Sequence, residues 1–267
     1  MIYLKTEEEI EGMRRAGEIL AKTHLAIRRI IKPGLTTMQV NDFAEAFMTY
    51  KKASPEQKGY EGFPYALCTS LNDEICHGFP REDIVLEEGD RLSIANEVNY
   101  EGYLADSCWS YAIGELSEEN QKLMEVTEES LYRGIEQAVH GKRLGDIGHA
   151  IQSYVEAEGF SVVRHFVGHG IGEEMHEDPQ VLHYGKPGRG QRLMENMVIT
   201  IEPMVNVGDY DIAMEDNGWV AKTKDGSMSC QFEHTLVVRD GKADILTLQD
   251  DYQLTEEELE WIDKYKF

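Results

Sequence analysis

The sequence predicts a pseudo-twofold α+β domain whose two halves share one sheet and face a cleft between them. Three observations predict it: an internal repeat, helical periodicity ahead of a glycine in each half, and no linker between the halves. The pairs Gly34/Gly141 and Leu86/Leu193 both stand 107 residues apart, and self-similarity at a fixed offset marks a duplicated unit. Ile10, Met13, Leu20, Ile27 and Ile31 recur at helical spacing before Gly34, as Leu123, Leu131, Ile135 and Ala138 do before Gly141. A second amphipathic stretch follows each glycine, through Val40, Phe43 and Phe47 in one half and Ile147, Ile151 and Tyr154 in the other. Strand-and-loop segments come next, Phe63 to Pro80 and Phe160 to Pro179. They close with His77-Gly-Phe-Pro80 and His176-Glu-Asp-Pro179. These two histidines are 99 residues apart, and a glycine-rich insertion near Tyr184–Gly190 makes up the difference. The last match sets Leu86–Asn99 against Leu193–Asn206, so Ala95 stands opposite Glu202. No Pro/Gly/Ser-rich linker intervenes. Residues 1–267 therefore read as a single domain of two related halves, about 6–115 and 116–248. Thr255-Glu-Glu-Glu258 has capping-box spacing and predicts a short terminal helix.

Composition narrows the function classes. Hydrophobic residues make up 41% and charged residues 28%, which is ordinary for a globular chain. A formal charge of −24 argues against nucleic-acid binding, because phosphate contacts need clustered cations. No apolar run reaches the roughly 18–20 residues a bilayer span requires, and the acidic start, Met1 to Glu9, is unlike a secretory signal. Cys68, Cys76, Cys108 and Cys230 have no close-paired spacing. In a chain of this length that fits reduced thiols and a cytoplasmic setting.

Several acids and histidines sit among apolar, β-branched residues, where a carboxylate is costly unless paired or metal-bound. Glu202 follows Val198-Ile-Thr-Ile201, and Glu233 opens a strand-like run to Val238. His169 lies in Val167-Gly-His-Gly-Ile-Gly172, whose small residues predict a close approach of ligand to backbone. Asp106 precedes Ser107-Cys-Trp109. Three carboxylates and one imidazole suit one or two divalent ions such as manganese, iron or cobalt. His77 and His176, related by the repeat, are predicted to face the cleft as substrate contacts.

The stretches Val163–Pro179, Thr200-Ile-Glu-Pro-Met204, Gly218–Thr223 and Gln231-Phe-Glu-His234 resemble the bacterial type I methionine aminopeptidases, over about Thr6 to Leu248. The resemblance implies the pita-bread fold, an antiparallel-rich sheet core with helices outside. It implies Asp106, His169, Glu202 and Glu233 as metal ligands, with Asp106 and Glu233 bridging two ions. Glu202, His176 and His77 become catalytic residues, the two histidines also contacting substrate. Tyr60, Phe63, Cys68, Met175 and Trp219 fall where the family forms its methionine pocket. The implied substrates are N-terminal methionyl peptides and nascent chains, acted on by a monomer, with docking at the ribosome left open.

The chain departs from the family at one point. An aspartate is expected eleven residues before Asp106, and alanine stands there instead, Ala95. Asn96 and Glu97 are not expected to replace it. A one-residue slip turns a side chain to the other strand face, and a two-residue slip moves it about 6.6–6.8 Å along. The surrounding strand is otherwise intact, which reads as a single point change; a natural paralogue that binds peptides or partners without hydrolysis is the alternative. The expectation is a weak second metal site, with one ion or none held, and much reduced activity.

Overall fold

The computed structural model describes residues 1–267. Thr6 starts helix α1, Glu7–Ile30, by accepting from the Glu9 amide while Glu9 returns the bond to the cap. Acids fill its first turn and Arg28 and Arg29 its last, both favourable to the helix dipole. Helix α2 spans Thr37–Tyr50, α3 Glu118–Ile135 and α4 Leu144–Ala157. Ala138, expected on α3, lies beyond its end, where the chain turns back toward Gly141.

Two of the residue pairs matched in the sequence make equivalent hydrogen bonds. The Gly34 amide donates to the Leu86 carbonyl at 2.8 Å, and the Gly141 amide to the Leu193 carbonyl at 3.0 Å. Both glycines have positive φ, 94° and 89°, a conformation that carries little cost without a Cβ. The residues that share the 107-residue offset are thus bonded to each other, Gly34 to Leu86 and Gly141 to Leu193.

A nine-stranded sheet crosses both halves. Its main strands are β1 Cys68–Leu71, β2 Arg91–Tyr100, β3 Tyr103–Ala112, β4 Gly168–Gly170, β5 Glu177–Val181, β6 Val198–Ile201 and β7 Glu233–Val237. The spatial order β2-β3-β7-β6-β4-β5 is antiparallel throughout, with β1 beside β2. The β2–β3 hairpin closes on Glu101-Gly102, both at positive φ (55° and 87°), as the tightest two-residue connections demand. That turn fixes the register Tyr100↔Tyr103, Glu97↔Asp106 and Ala95↔Cys108.

Side-chain alternation gives the sheet two different faces. Leu92, Ile94 and Val98 of β2 and Ala105 and Tyr111 of β3 bury themselves against α1 and α2. Ile199, Ile201 and Leu236 do the same with α3 and α4. Each of the leucine, isoleucine and valine side chains among them contributes about 1.5–3 kcal/mol by leaving water. The intervening residues, Ala95, Glu97, Asp106, Glu202 and Glu233 among them, border a cavity instead. Thr255 caps the last helix, α5, Glu256–Lys264. Its Trp261 and the Tyr265 that follows the helix pack on Phe43 of α2, and its buried Glu258 meets Lys22 and Lys51.

Candidate metal centre

A cavity of about 290 Å³ lies at the sheet face where the two halves meet. All eleven residues singled out from the sequence border it: Asp106, His169, Glu202, Glu233, His77, His176, Tyr60, Phe63, Cys68, Met175 and Trp219. Strand geometry delivers the donors. Glu233 begins β7 opposite Cys108, and Glu202 follows the last residue of β6. Asp106 is tied to β7 where the ladder ends: its amide donates to Thr235 Oγ1 at 3.0 Å, and that hydroxyl donates to the Asp106 carbonyl at 2.7 Å.

Donor atoms of Asp106, His169 and Glu233 all lie within 4.8 Å of one another. His169 Nδ1 is 2.9 Å from the Gly170 carbonyl. A carbonyl only accepts, so Nδ1 carries the proton and Nε2 offers a lone pair. That lone pair faces Glu202 Oε1 at 3.5 Å and Asp106 Oδ2 at 3.7 Å. Burial, with His176 beside it, holds the ring down to about 4. It is therefore neutral, and these contacts are not ion pairs. Glu202 is steered from both sides: Thr200 Oγ1 donates to Oε1 at 2.9 Å and Gln231 Nε2 to Oε2 at 3.2 Å.

Carboxylates clustered in this way need a cation or retained protons between them. Burial pushes Asp106 up to about 7 and lifts Glu202 and Glu233 well above the carboxylate range, with the Asp106 charge adding to both. Glu233 Oε1 is buried without a hydrogen-bond partner. A neutral imidazole aimed at clustered carboxylates, its other nitrogen held by a carbonyl, is the arrangement of a metal-ligating histidine. The donor set of oxygens plus one imidazole therefore fits a divalent transition ion.

Around this floor the walls are largely apolar. Phe63 meets Trp219 edge-on at 5.2 Å between centroids, and His77 meets Trp219 at 6.0 Å. His176 meets His169 edge-on with centroids 4.4 Å apart, and its Nδ1 lies 3.2 Å from the Tyr60 hydroxyl. Burial and the neighbouring His176 bring His77 down to about 4, and burial lowers His176 as well.

The profile of metallopeptidase family M24 matches residues 11–240. The chain belongs to that family. A methionine aminopeptidase of Clostridium acetobutylicum is 48% identical over 248 residues, 93% of this chain and 99% of that one. Methionine aminopeptidase 1 of Bacillus subtilis is 47% identical over 92% of this chain and 99% of its own. The crystal structure of methionine aminopeptidase from Rickettsia prowazekii superposes with a TM-score of 0.91 at 41% identity, covering 93% of this chain and 100% of that one. The fold is the pita-bread fold of these metallopeptidases, and divalent-metal binding goes with the family.

Two sequence-based readings change. Gly168 and Gly170 make room for protein, not for a ligand. A Cβ on Gly168 would lie 2.5 Å from the Thr200 carbonyl oxygen, and one on Gly170 2.2 Å from that of Asp178. The close approach is between strands. Glu97 is also no bystander. It borders the same cavity as Ala95, is only 2% exposed, and has an Oε1 without a partner. Gln231 opens one of the stretches that carry the resemblance, yet the sequence assigned it no role: its donation to Glu202 follows from the pairing of Gln231 with Met204 across neighbouring strands.

Proposed function

We propose that this chain hydrolyses the bond after an N-terminal methionine, as a metal-dependent methionine aminopeptidase. The observation that carries the reading is the convergence of Asp106, Glu233 and the unprotonated His169 Nε2 beneath an apolar-walled cavity. Asp106, His169, Glu202 and Glu233 would hold the metal, Asp106 and Glu233 serving two ions. A divalent cation there supplies Lewis-acid chemistry, acidifying water and polarising a carbonyl.

The chain's own residues do the rest. Glu202, held by Thr200 and Gln231, takes the proton of the attacking water and delivers it to the leaving amine. His176, its Nδ1 engaged by Tyr60, keeps Nε2 for the substrate carbonyl as negative charge develops there. His77, against Trp219 and Phe166, contacts the peptide. Phe63, Trp219, Met175, Cys68 and Tyr60 receive the thioether side chain, a group whose flexibility and polarisability suit aromatic and sulfur-lined walls.

The same reading treats the chain as one catalytic domain of two halves acting on methionyl peptides and nascent chains, as a cytoplasmic monomer. No helix is long and apolar enough to cross a membrane. It also assigns the chain reduced activity, since position 95 brings no carboxylate to the cavity. A panel of peptides beginning with Met, Leu or X-Pro tests the specificity, with Met preferred. Ala95→Asp is expected to raise kcat/KM on the methionyl peptide on the order of tenfold or more, since one tenfold step is about 1.4 kcal/mol. Hydrolysis unchanged in Ala95→Asp would refute the assigned deficit.

A further inference from the structure

A carboxylate missing from position 95 leaves open what faces Asp106 in its place. The β2–β3 register answers it. Residue 95 stands across from Cys108, whereas Glu97 stands directly across from Asp106. Two residues apart on one strand, Ala95 and Glu97 share a face, and both border the cavity. Directly paired residues bring their Cβ atoms to about 4.5–5.5 Å, close enough for two carboxyl groups to meet, and like charges so placed are destabilising.

Glu97 has no protein group to relieve that cost. The residue is 2% exposed, and Oε1 finds no hydrogen-bond donor. No lysine or arginine borders the cavity. A buried carboxylate beside a second carboxylate is retained when a cation or a shared proton lies between them. The offset along the strand that argued against replacement is partly met by side-chain length, because glutamate carries one methylene more than aspartate. The small Ala95 leaves its place beside Glu97 unfilled.

We infer that Glu97 supplies the carboxylate that position 95 lacks, and that with Asp106 and Glu233 it holds a second divalent cation, more weakly than the first is held. The inference rests on the reading of the cavity as a metal centre and adds a ligand to it. It replaces the expectation of one ion or none by two ions of unequal affinity.

The test is titration of the metal-stripped full chain with Mn(II), followed by calorimetry and by the electron paramagnetic resonance signature of a spin-coupled manganese pair. Two binding events are expected for the parent, the second at least about tenfold weaker, which is about 1.4 kcal/mol. Glu97→Gln should keep the first event and lose the second together with the coupled spectrum. Ala95→Asp in the Glu97→Gln background should regain both, which guards against a merely misfolded single variant. Two events of unchanged affinity in Glu97→Gln would overturn the inference. So would an unchanged ion count accompanied by weaker peptide binding, which would make Glu97 a contact for the substrate amine. A parent that takes up no Mn(II) would instead bring down the metal-centre reading itself, whereas methionyl-peptide hydrolysis with one ion bound would leave that reading intact and sink only the role given to Glu97.

Discussion

Glu202 is the residue whose chemistry is most sharply constrained. Thr200 and Gln231 hold one carboxylate oxygen each, while His169 Nε2 and the Glu233 carboxyl crowd it from the cavity side. Glu202→Gln keeps the shape and removes the proton carrier proposed above. A drop in kcat on the order of 10²–10⁴-fold is expected, measured by methionyl-peptide hydrolysis, with KM changing far less. Comparable losses in the two parameters would assign Glu202 to binding instead. At this scale much of the site was legible. Glu202, Glu233, Asp106 and His169 each interrupt an apolar, strand-forming context, and a costly residue in such a place advertises its partner. Glu97 escaped because its meaning is two-dimensional. Along the chain it is two residues removed from the expected position, and only the hairpin register sets it across from Asp106.

At the scale of elements, the short strand β4 carries the sole imidazole of the donor set. It is squeezed between β5 and β6, where Gly170 pairs with Glu177 on one side and Ile199 on the other. A methyl at residue 170 would meet the Asp178 carbonyl oxygen at 2.2 Å. Backbone cannot swing away as a side-chain tip can, so Gly170→Ala must push β4 off its neighbours. A loss of about 1–3 kcal/mol is expected from overpacking, read as a lower urea midpoint, together with weaker Mn(II) binding as His169 is displaced. A stable variant with unchanged affinity would mean that β4 yields without moving the ring. The sequence announced the glycines of Val167–Gly172 but not their cause, because spacing within a segment says nothing about which strands will lie against it. Helices were easier: Thr255, read as a cap from its spacing, begins α5 with both capping-box bonds in place, and such caps are local.

For the whole molecule, the seam between the halves carries the site. Asp106 comes from the first half and His169, Glu202 and Glu233 from the second, and β3 meets β7 in register at only Glu233↔Cys108 and His234↔Ser107. The repeat was visible in sequence because two residue pairs share one offset; the seam was not, since Asp106 and Thr235 lie 129 positions apart. On the helix side of that seam lies His24 of α1, fully buried, with Nδ1 2.8 Å from the Tyr111 hydroxyl and Nε2 3.1 Å from Ser107 Oγ. Burial, reinforced by Arg28, lowers its pKa to about 3. The unfolded chain, with an ordinary histidine near 6.5, takes up this proton first as pH falls. The neutral ring thus contributes its full stability above pH 6.5, and that contribution is lost progressively between 6.5 and about 3. His24→Gln can keep both hydrogen bonds without titrating. Urea midpoints of the chelated parent and of His24→Gln should therefore converge as pH drops from 7 to 5, the variant losing less. Because every other titrating group is common to both chains, parallel curves would show that protonation of His24 does not loosen the seam.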